Sequence, residues 1–218
     1  MDSCRKDEKN FTTPKSSRSG LAVGMSEIQK TNKMNMRIKK LLVIAFFIIG
    51  AQSSFAQSNV VVGGEVMYPK KNIIENAINS KDHTTLVAAV KAADLVATLQ
   101  GDGPFTVFAP TNAAFEKLPE GTVANLVKPE NKKTLTSILT YHVVSGKMDS
   151  ASLLKAIKKG KGEASLTTVN GGTLIAKMNG KRNVTLTDEN GNTSNISLYD
   201  VYQSNGVIHV IDTVVLPK

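Results

Sequence analysis

The sequence predicts an α+β protein in which helices pack on one side of a mainly antiparallel β-sheet. In the first half of the region after residue 57, apolar residues recur every three or four positions, which is the period of a helix. In the second half, four Asn-Gly pairs separate short segments rich in β-forming residues, and Asn-Gly is the strongest short signal for a β-hairpin. Helices followed by strands are typical of the α+β class.

Residues 34–56 have the three-part layout of a secretory signal peptide. A positive segment precedes an apolar run of 11 residues, and small residues stand at Ser54 and Ala56. A transmembrane helix needs about 20 apolar residues, so the run is too short to span a bilayer. We expect export, cleavage after Ala56 and a secreted or periplasmic protein with no membrane span beyond residue 57.

The polar residues 1–33 precede this signal and show no apolar periodicity. We interpret them as an upstream extension of the gene, with translation starting at Met34 or Met36. A disordered cytoplasmic leader, with a start at Met1 or Met25, is the alternative.

The charge of the chain is concentrated at its N-terminus. The net charge is +9, and residues 1–56 carry 10 of the 27 Lys and Arg residues but only 4 of the 18 Asp and Glu residues. The remaining excess of +3 is too small for a nucleic-acid surface, which needs clustered cations. One basic cluster is left in residues 57–218, formed by Lys155, Lys158, Lys159 and Lys161. We interpret it as a solvated helix end, with an anion or polysaccharide contact as the alternative.

The predicted helices follow an entry segment, residues 57–71, that reads as a linker. Asn72 with Glu75 three residues later predicts a capped helix from Ile73 to Asn79. Asp82 is the expected cap of a longer helix from Thr84 to Leu99.

Further along, Pro110 ends a predicted strand, Phe105–Ala109, and Thr111 caps a predicted helix over residues 112–118. The stripe Leu135, Ile138, Leu139 and His142 indicates another helix. The later strands are predicted at Thr173–Met178, Asn183–Thr187, Ile196–Tyr202 and Val207–Val215. No internal repeat is visible, so residues 72–218 are predicted to form one domain.

Three segments resemble the signature blocks of fasciclin domains. The first runs from Thr106 to Phe115 and includes Thr111 and Asn112. The second is the tyrosine–histidine segment that begins at Tyr141 and His142. The third contains Asn205, Gly206 and His209 and ends near Pro217. The order and spacing of the blocks also fit, so the chain resembles a single-domain, bacterial secreted member of that family.

The resemblance implies a wedge-like pair of sheets with helices packed on one side, and a role at cell surfaces or in extracellular matrix. In animal members, the tyrosine–histidine segment and a later aspartate–isoleucine pair are linked to integrin binding. The matching candidates here are Tyr141 with His142, and Asp200 with Val201, which only approximates the pair. Thr111, Asn112, Phe115, Asn205, Gly206 and His209 are implied to be structural.

The three histidines are candidates for a site. His142 lies on an apolar stripe, so we expect it to be buried and hydrogen-bonded to Asn112 or Thr111, with Tyr141 as the exposed neighbour. His209 stands among apolar strand residues and is expected to be structural, whereas His83 precedes a helix and is expected to face solvent.

No motif for catalysis, a metal or a cofactor is present. The sequence contains no nucleophile elbow, phosphate loop or dinucleotide fingerprint, and residues 57–218 contain no cysteine. Asp188, Asn190 and Asn192 imitate a calcium loop, but Thr193 and Tyr199 stand where glycine and glutamate are needed. We therefore expect a protein that is not an enzyme and has no cofactor.

The leading hypothesis is an adhesion module that binds a surface polysaccharide or an extracellular or cell-envelope protein, with weak self-association. The alternative is a small-molecule carrier or sensor with an apolar groove. A hydrolase would need a nucleophile within reach of His142 or His209 in a cleft.

Overall fold

The computed structural model describes residues 59–180 and 183–218. The predicted signal peptide, its cleavage after Ala56 and the alternative start sites lie outside these residues. The helices are α1 Ile73–Ala77, α2 Thr84–Ala92, α3 Val96–Gln100, α4 Asn112–Glu116, α5 Thr122–Leu126, α6 Lys132–Tyr141 and α7 Ser150–Lys159. The strands are β1 Val60–Val62, β2 Glu65–Met67, β3 Phe105–Pro110, β4 Val143–Ser145, β5 Glu163–Thr167, β6 Thr173–Asn179, β7 Asn183–Thr187, β8 Thr193–Gln203 and β9 Gly206–Ile211. The predicted α+β class is confirmed.

The segment 57–71, predicted to be a linker, contains the hairpin β1–β2. Val62 and Met67 on its inner face are buried in the core. At its turn, Gly63 has a φ of +59° and packs so tightly that an added Cβ would lie 2.7 Å from the backbone nitrogen of Asp82. The hairpin is therefore part of the domain, and the linker prediction is wrong for these residues, because strands of three residues are too short to show the alternation that predicts a strand.

The predicted helix from Thr84 to Leu99 is two helices. Asp94 adopts a left-handed conformation with a φ of +57° and separates α2 from α3. The expected cap at Asp82 is also absent, because a 3-10 turn, Lys81–His83, precedes α2 and makes His83 the N-cap residue. The predicted capping box at Asn72 and Glu75 is confirmed.

Seven strands form one sheet in the order β4-β3-β9-β8-β7-β6-β5. Among the described residues, β3 and β9 are the one parallel pair. β8 joins the two halves of the sheet and is irregular on either side of Leu198, next to Asp200 with a φ of +59°. The sheet nearly closes on itself, because Val144 pairs with Thr168, just after β5.

The sheet separates two apolar clusters. Along β3, Val107 and Ala109 face the first cluster, with the hairpin and α1, α2, α3 and α6, while Phe108 faces the second, with α7. This alternation follows from the two-residue period of a strand. In the part of the chain that is described, no helix is both long and apolar enough to span a bilayer.

Candidate functional site

The first signature block joins two helix starts. The Thr111 hydroxyl accepts a hydrogen bond from the Ala114 nitrogen at 3.2 Å, which caps α4 as predicted. Asn112 Oδ1 accepts from the Thr85 nitrogen at 3.0 Å, and its Nδ2 donates to the Lys81 carbonyl at 2.9 Å. Asn112 thus fixes the start of α4 to the start of α2.

Tyr141 was expected to be exposed, and that expectation is wrong. The side chain is fully buried in the second apolar cluster. Its hydroxyl donates to the Thr173 carbonyl at 2.7 Å and accepts from the Glu189 nitrogen at 3.2 Å. Burial raises the pKa of Tyr141 to about 12. The tyrosine joins α6 to two turns of the sheet, and its side chain is not exposed.

His142 is buried, as expected, but its partners differ from the predicted ones. Its Nδ1 donates to the Ile138 carbonyl at 2.8 Å, and its Nε2 accepts from the Val215 nitrogen at 3.3 Å. Of the two expected partners, Asn112 is bonded at the start of α2 and Thr111 accepts from the Ala114 nitrogen. Burial lowers the pKa of His142 to about 4, so the ring is neutral at pH 7.

Asp200 and Val201 also serve the fold. Val201 is buried in the first cluster. The Asp200 carboxylate accepts from both the backbone nitrogen (2.7 Å) and the hydroxyl of Ser150, at the start of α7. The Asp200 nitrogen donates to Nδ1 of His209 at 3.3 Å, and Nε2 of His209 donates to the Met148 carbonyl at 2.8 Å. His209 is therefore structural in its contacts, and burial lowers its pKa.

The third signature block is bound to the first helices. Asn205 Oδ1 accepts from the Ile73 nitrogen at 3.1 Å, and Nδ2 donates to the Leu99 carbonyl at 2.8 Å. At Gly206, an added Cβ would lie 2.2 Å from the Phe105 carbonyl oxygen. Only glycine fits where β9 enters beside β3. Phe115, the last residue implied to be structural, packs half-buried against the first cluster.

His83 was expected to face solvent but is 4% exposed. The 3-10 turn before α2 places it under the hairpin, where the Ser80 hydroxyl lies 2.8 Å from Nδ1. Burial lowers the pKa of His83. Both side chains line an almost wholly apolar cavity of about 110 Å³ between the helices, the hairpin and the sheet. The helical pattern gave no sign of this site, because a single 3-10 turn has too few residues to show a period.

The lysine cluster (Lys155, Lys158, Lys159 and Lys161) lies at the C-terminal end of α7 and just beyond it. All four residues are exposed. Leu153 and Ile157 anchor the opposite face of α7 in the second cluster. Within residues 59–180 and 183–218, none of the four lysines forms an ion pair. The neighbouring Glu163 is paired with Lys177 at 3.0 Å.

The calcium-like sequence forms a turn. Asp188 Oδ1 accepts from the nitrogens of Asn190 and Asn192 at 2.9 Å, and Oδ2 accepts from the Leu216 nitrogen at 3.0 Å. Its carboxylate is thus used by the chain itself, as expected for a polar hairpin turn. Among the described residues, no group of three acidic, histidine or cysteine side chains could hold a metal ion.

The three signature blocks lie within the part of the chain that matches a known family. The model of the fasciclin domain matches residues 81–217. Protein sll1483 of Synechocystis sp. is 41% identical over 192 residues, which cover 85% of this chain and 98% of that protein. The cell surface glycolipoprotein MPB83 of Mycobacterium bovis is 36% identical over 146 residues, 65% of this chain and 58% of that protein. A FAS1 domain pair from the insect cell adhesion molecule fasciclin I superposes with a TM-score of 0.60 and 18% identity over 67% of this chain and 51% of that chain.

Proposed function

Because this chain belongs to the fasciclin family, we propose that it is an exported, non-catalytic adhesion module that binds an anionic surface polysaccharide through its lysine cluster. Relatives support the general role. One similar structure comes from a cell adhesion molecule, and MPB83 is named as a cell surface protein. The signal-peptide pattern of residues 34–56 supports export.

The geometry of the lysine cluster is the observation that carries the choice of ligand. Lys155 and Lys159 are four residues apart, so they share a face of α7. Buried Leu153 and Ile157 hold the helix in place, which makes the positive face rigid. The cations are available to an external anion since no described carboxylate neutralises them. Four positive charges on a short surface raise the local concentration of an anionic polymer.

The histidines support a non-catalytic role. A general base needs a ring nitrogen that can reach a substrate. Both ring nitrogens of His142 and both of His209 bind the chain itself, and both rings are buried. The hydrolase hypothesis, which relied on these two residues, therefore has no support.

Binding of the full-length protein to immobilised polygalacturonate tests this proposal, with uncharged dextran as the comparison. We expect saturable binding to the polyanion alone, weakened by salt because exposed charges are screened. Substituting both Lys155→Gln and Lys159→Gln should weaken binding about fivefold, at about 0.5 kcal/mol for each exposed charge.

Lys128→Gln with Lys133→Gln is the matched control, since it removes two exposed lysines elsewhere. Equal loss in both double variants would show attraction by net charge alone and refute a localised face. Equal binding to dextran would refute the polyanion.

We further propose weak self-association. One lysine cluster on one domain cannot join two surfaces, because avidity requires linked sites. Sedimentation velocity over a range of protein concentrations should show that the average mass of the protein assembly rises with concentration, both free in solution and on the polyanion. A strictly monomeric protein, free and bound, would exclude bridging and leave a simple surface-binding role.

A further inference from the structure

The cavity beside His83 has the form of a small ligand site. Its inner end is formed by sheet residues such as Val107 and Ile208, and its sides by α1, α2, α3 and the hairpin. Three exposed residues on different helices or helix ends, Ile78, Lys91 and Gln100, also line it, so the cavity reaches the surface between those helices. An apolar cavity of about 150 Å³ can hold benzene, so a volume of about 110 Å³ that reaches the surface limits the occupant to about one six-membered ring.

One of the residues that line this cavity, His83, has an unsatisfied polar atom. Among the described residues, no group forms a hydrogen bond with Nε2 of His83, although that atom is buried. Burial lowers the pKa of the ring, and the nearby Ala109 backbone opposes that shift without completing a hydrogen bond to Nε2. An unsatisfied buried polar atom is rare and costs about 1–3 kcal/mol.

The partner of the other ring nitrogen decides which hydrogen bond is missing. The Ser80 hydroxyl lies 2.8 Å from Nδ1 and is 2% exposed. In the described residues it has no other hydrogen-bond partner, so its proton is satisfied only if it donates to Nδ1. A neutral imidazole that accepts at Nδ1 carries its proton on Nε2. The missing partner is therefore an acceptor.

We propose that this cavity binds a compact ring compound with one carbonyl oxygen, which accepts a hydrogen bond from Nε2 of His83. The ring fills the apolar wall, and the oxygen completes the Ser80–His83 chain of hydrogen bonds. Water is a poorer occupant, because a buried water needs two to four polar contacts. Of the buried polar side chains that line the cavity, His142 already has both ring nitrogens bonded, which leaves only Ser80 and His83. The site is independent of the lysine cluster on α7.

A second cavity provides an internal comparison. It has a volume of about 160 Å³ and is also apolar, with Leu118, Leu126 and His142 among its lining residues. Both ring nitrogens of His142 are already bonded. The second cavity is thus larger but has no free donor on its histidine, and it should not prefer a carbonyl compound.

The test is an NMR titration of the full-length protein with cyclohexanone and with methylenecyclohexane, which has the same shape without the oxygen. We expect cyclohexanone to shift the Nε2–H signal of His83 and the methyl signals of Ile73 and Val90, which line the cavity. Methylenecyclohexane should leave the Nε2–H signal in place. In a His83→Phe variant, the affinity for cyclohexanone should fall about tenfold while that for methylenecyclohexane does not fall.

Val87→Phe is a second variant, on the half-exposed wall of the cavity, that should block both compounds without changing His83. The wild-type titration decides the matter even if His83→Phe fails to fold. The proposal is overturned if neither compound shifts the signals of Ile73 and Val90, or if both bind there and Nε2–H does not respond to the ketone. It is also overturned if cyclohexanone shifts only the signals of Leu118 and Leu126.

Discussion

Mild acid should destabilise the fold through His142. Burial lowers the pKa of this ring from 6.5 to about 4, although the nearby Asp188 opposes the shift. In the unfolded chain the ring regains its ordinary pKa. Between the two values the unfolded state binds a proton that the folded state does not, so the free energy of unfolding falls as the pH falls. The full difference corresponds to about 3 kcal/mol, present above about pH 6.5 and lost by about pH 4.

Urea unfolding of the full-length protein at several pH values between about 7 and 4.5 measures this loss. His142→Gln is the reference variant, because an amide keeps a neutral polar side chain at this position. The variant should be less stable at pH 7, and its deficit should shrink as the pH falls. His83 and His209, whose pKa values are also lowered by burial, remain in both proteins and leave a common slope. A deficit that does not change with pH would refute the linkage to His142.

Two further predictions concern the hairpin turn and the buried tyrosine. Gly63→Ala should cost about 1–3 kcal/mol more than Gly64→Ala in urea unfolding, because both glycines have a positive φ but only Gly63 packs against backbone. Equal losses would show that the hairpin does not dock as described. Tyr141→Phe should lower the free energy of unfolding by about 1–3 kcal/mol, because it leaves the Thr173 carbonyl and the Glu189 nitrogen unpaired. Tyr68→Phe, at an exposed ring, should change it by less than about 0.5 kcal/mol. A neutral Tyr141→Phe would contradict the role given to that hydroxyl.

The helices and strands with strong local signals were predictable. Local residue chemistry predicts the caps at Asn72 and Thr111 and the strands near Phe105 and Asn183. The structure has each of these elements at the expected place. The break at Asp94 was not predictable from spacing, because apolar residues continue through Val96 as they would in one helix. Short elements such as β1, β4 and α5 have too few residues to show a period.

The site residues were harder to predict than the fold, because one apolar stripe does not describe a helix that contacts two cores. Leu135 and Leu139 on α6 face the first cluster, while Tyr141 at its end reaches the second. The apolar stripe reflects only the contact of α6 with the first cluster, so it predicts that Tyr141 faces solvent. The burial of His83 was not predictable for a related reason. The hairpin that covers it lies in the segment that was predicted to be a linker.

The parallel pairing of β3 with β9 governs how the domain is assembled during its synthesis. β9 lies between β3 and β8, and about 100 residues separate the paired Phe105 and Gly206. A ribosome adds about 5–20 residues per second, so a nascent chain waits roughly 5–20 s between making β3 and making β9, the strand that pairs with it. A chain that terminates before Gly206 would leave β3 and β8 with open edges, and we expect such a fragment to aggregate instead of forming a smaller stable domain.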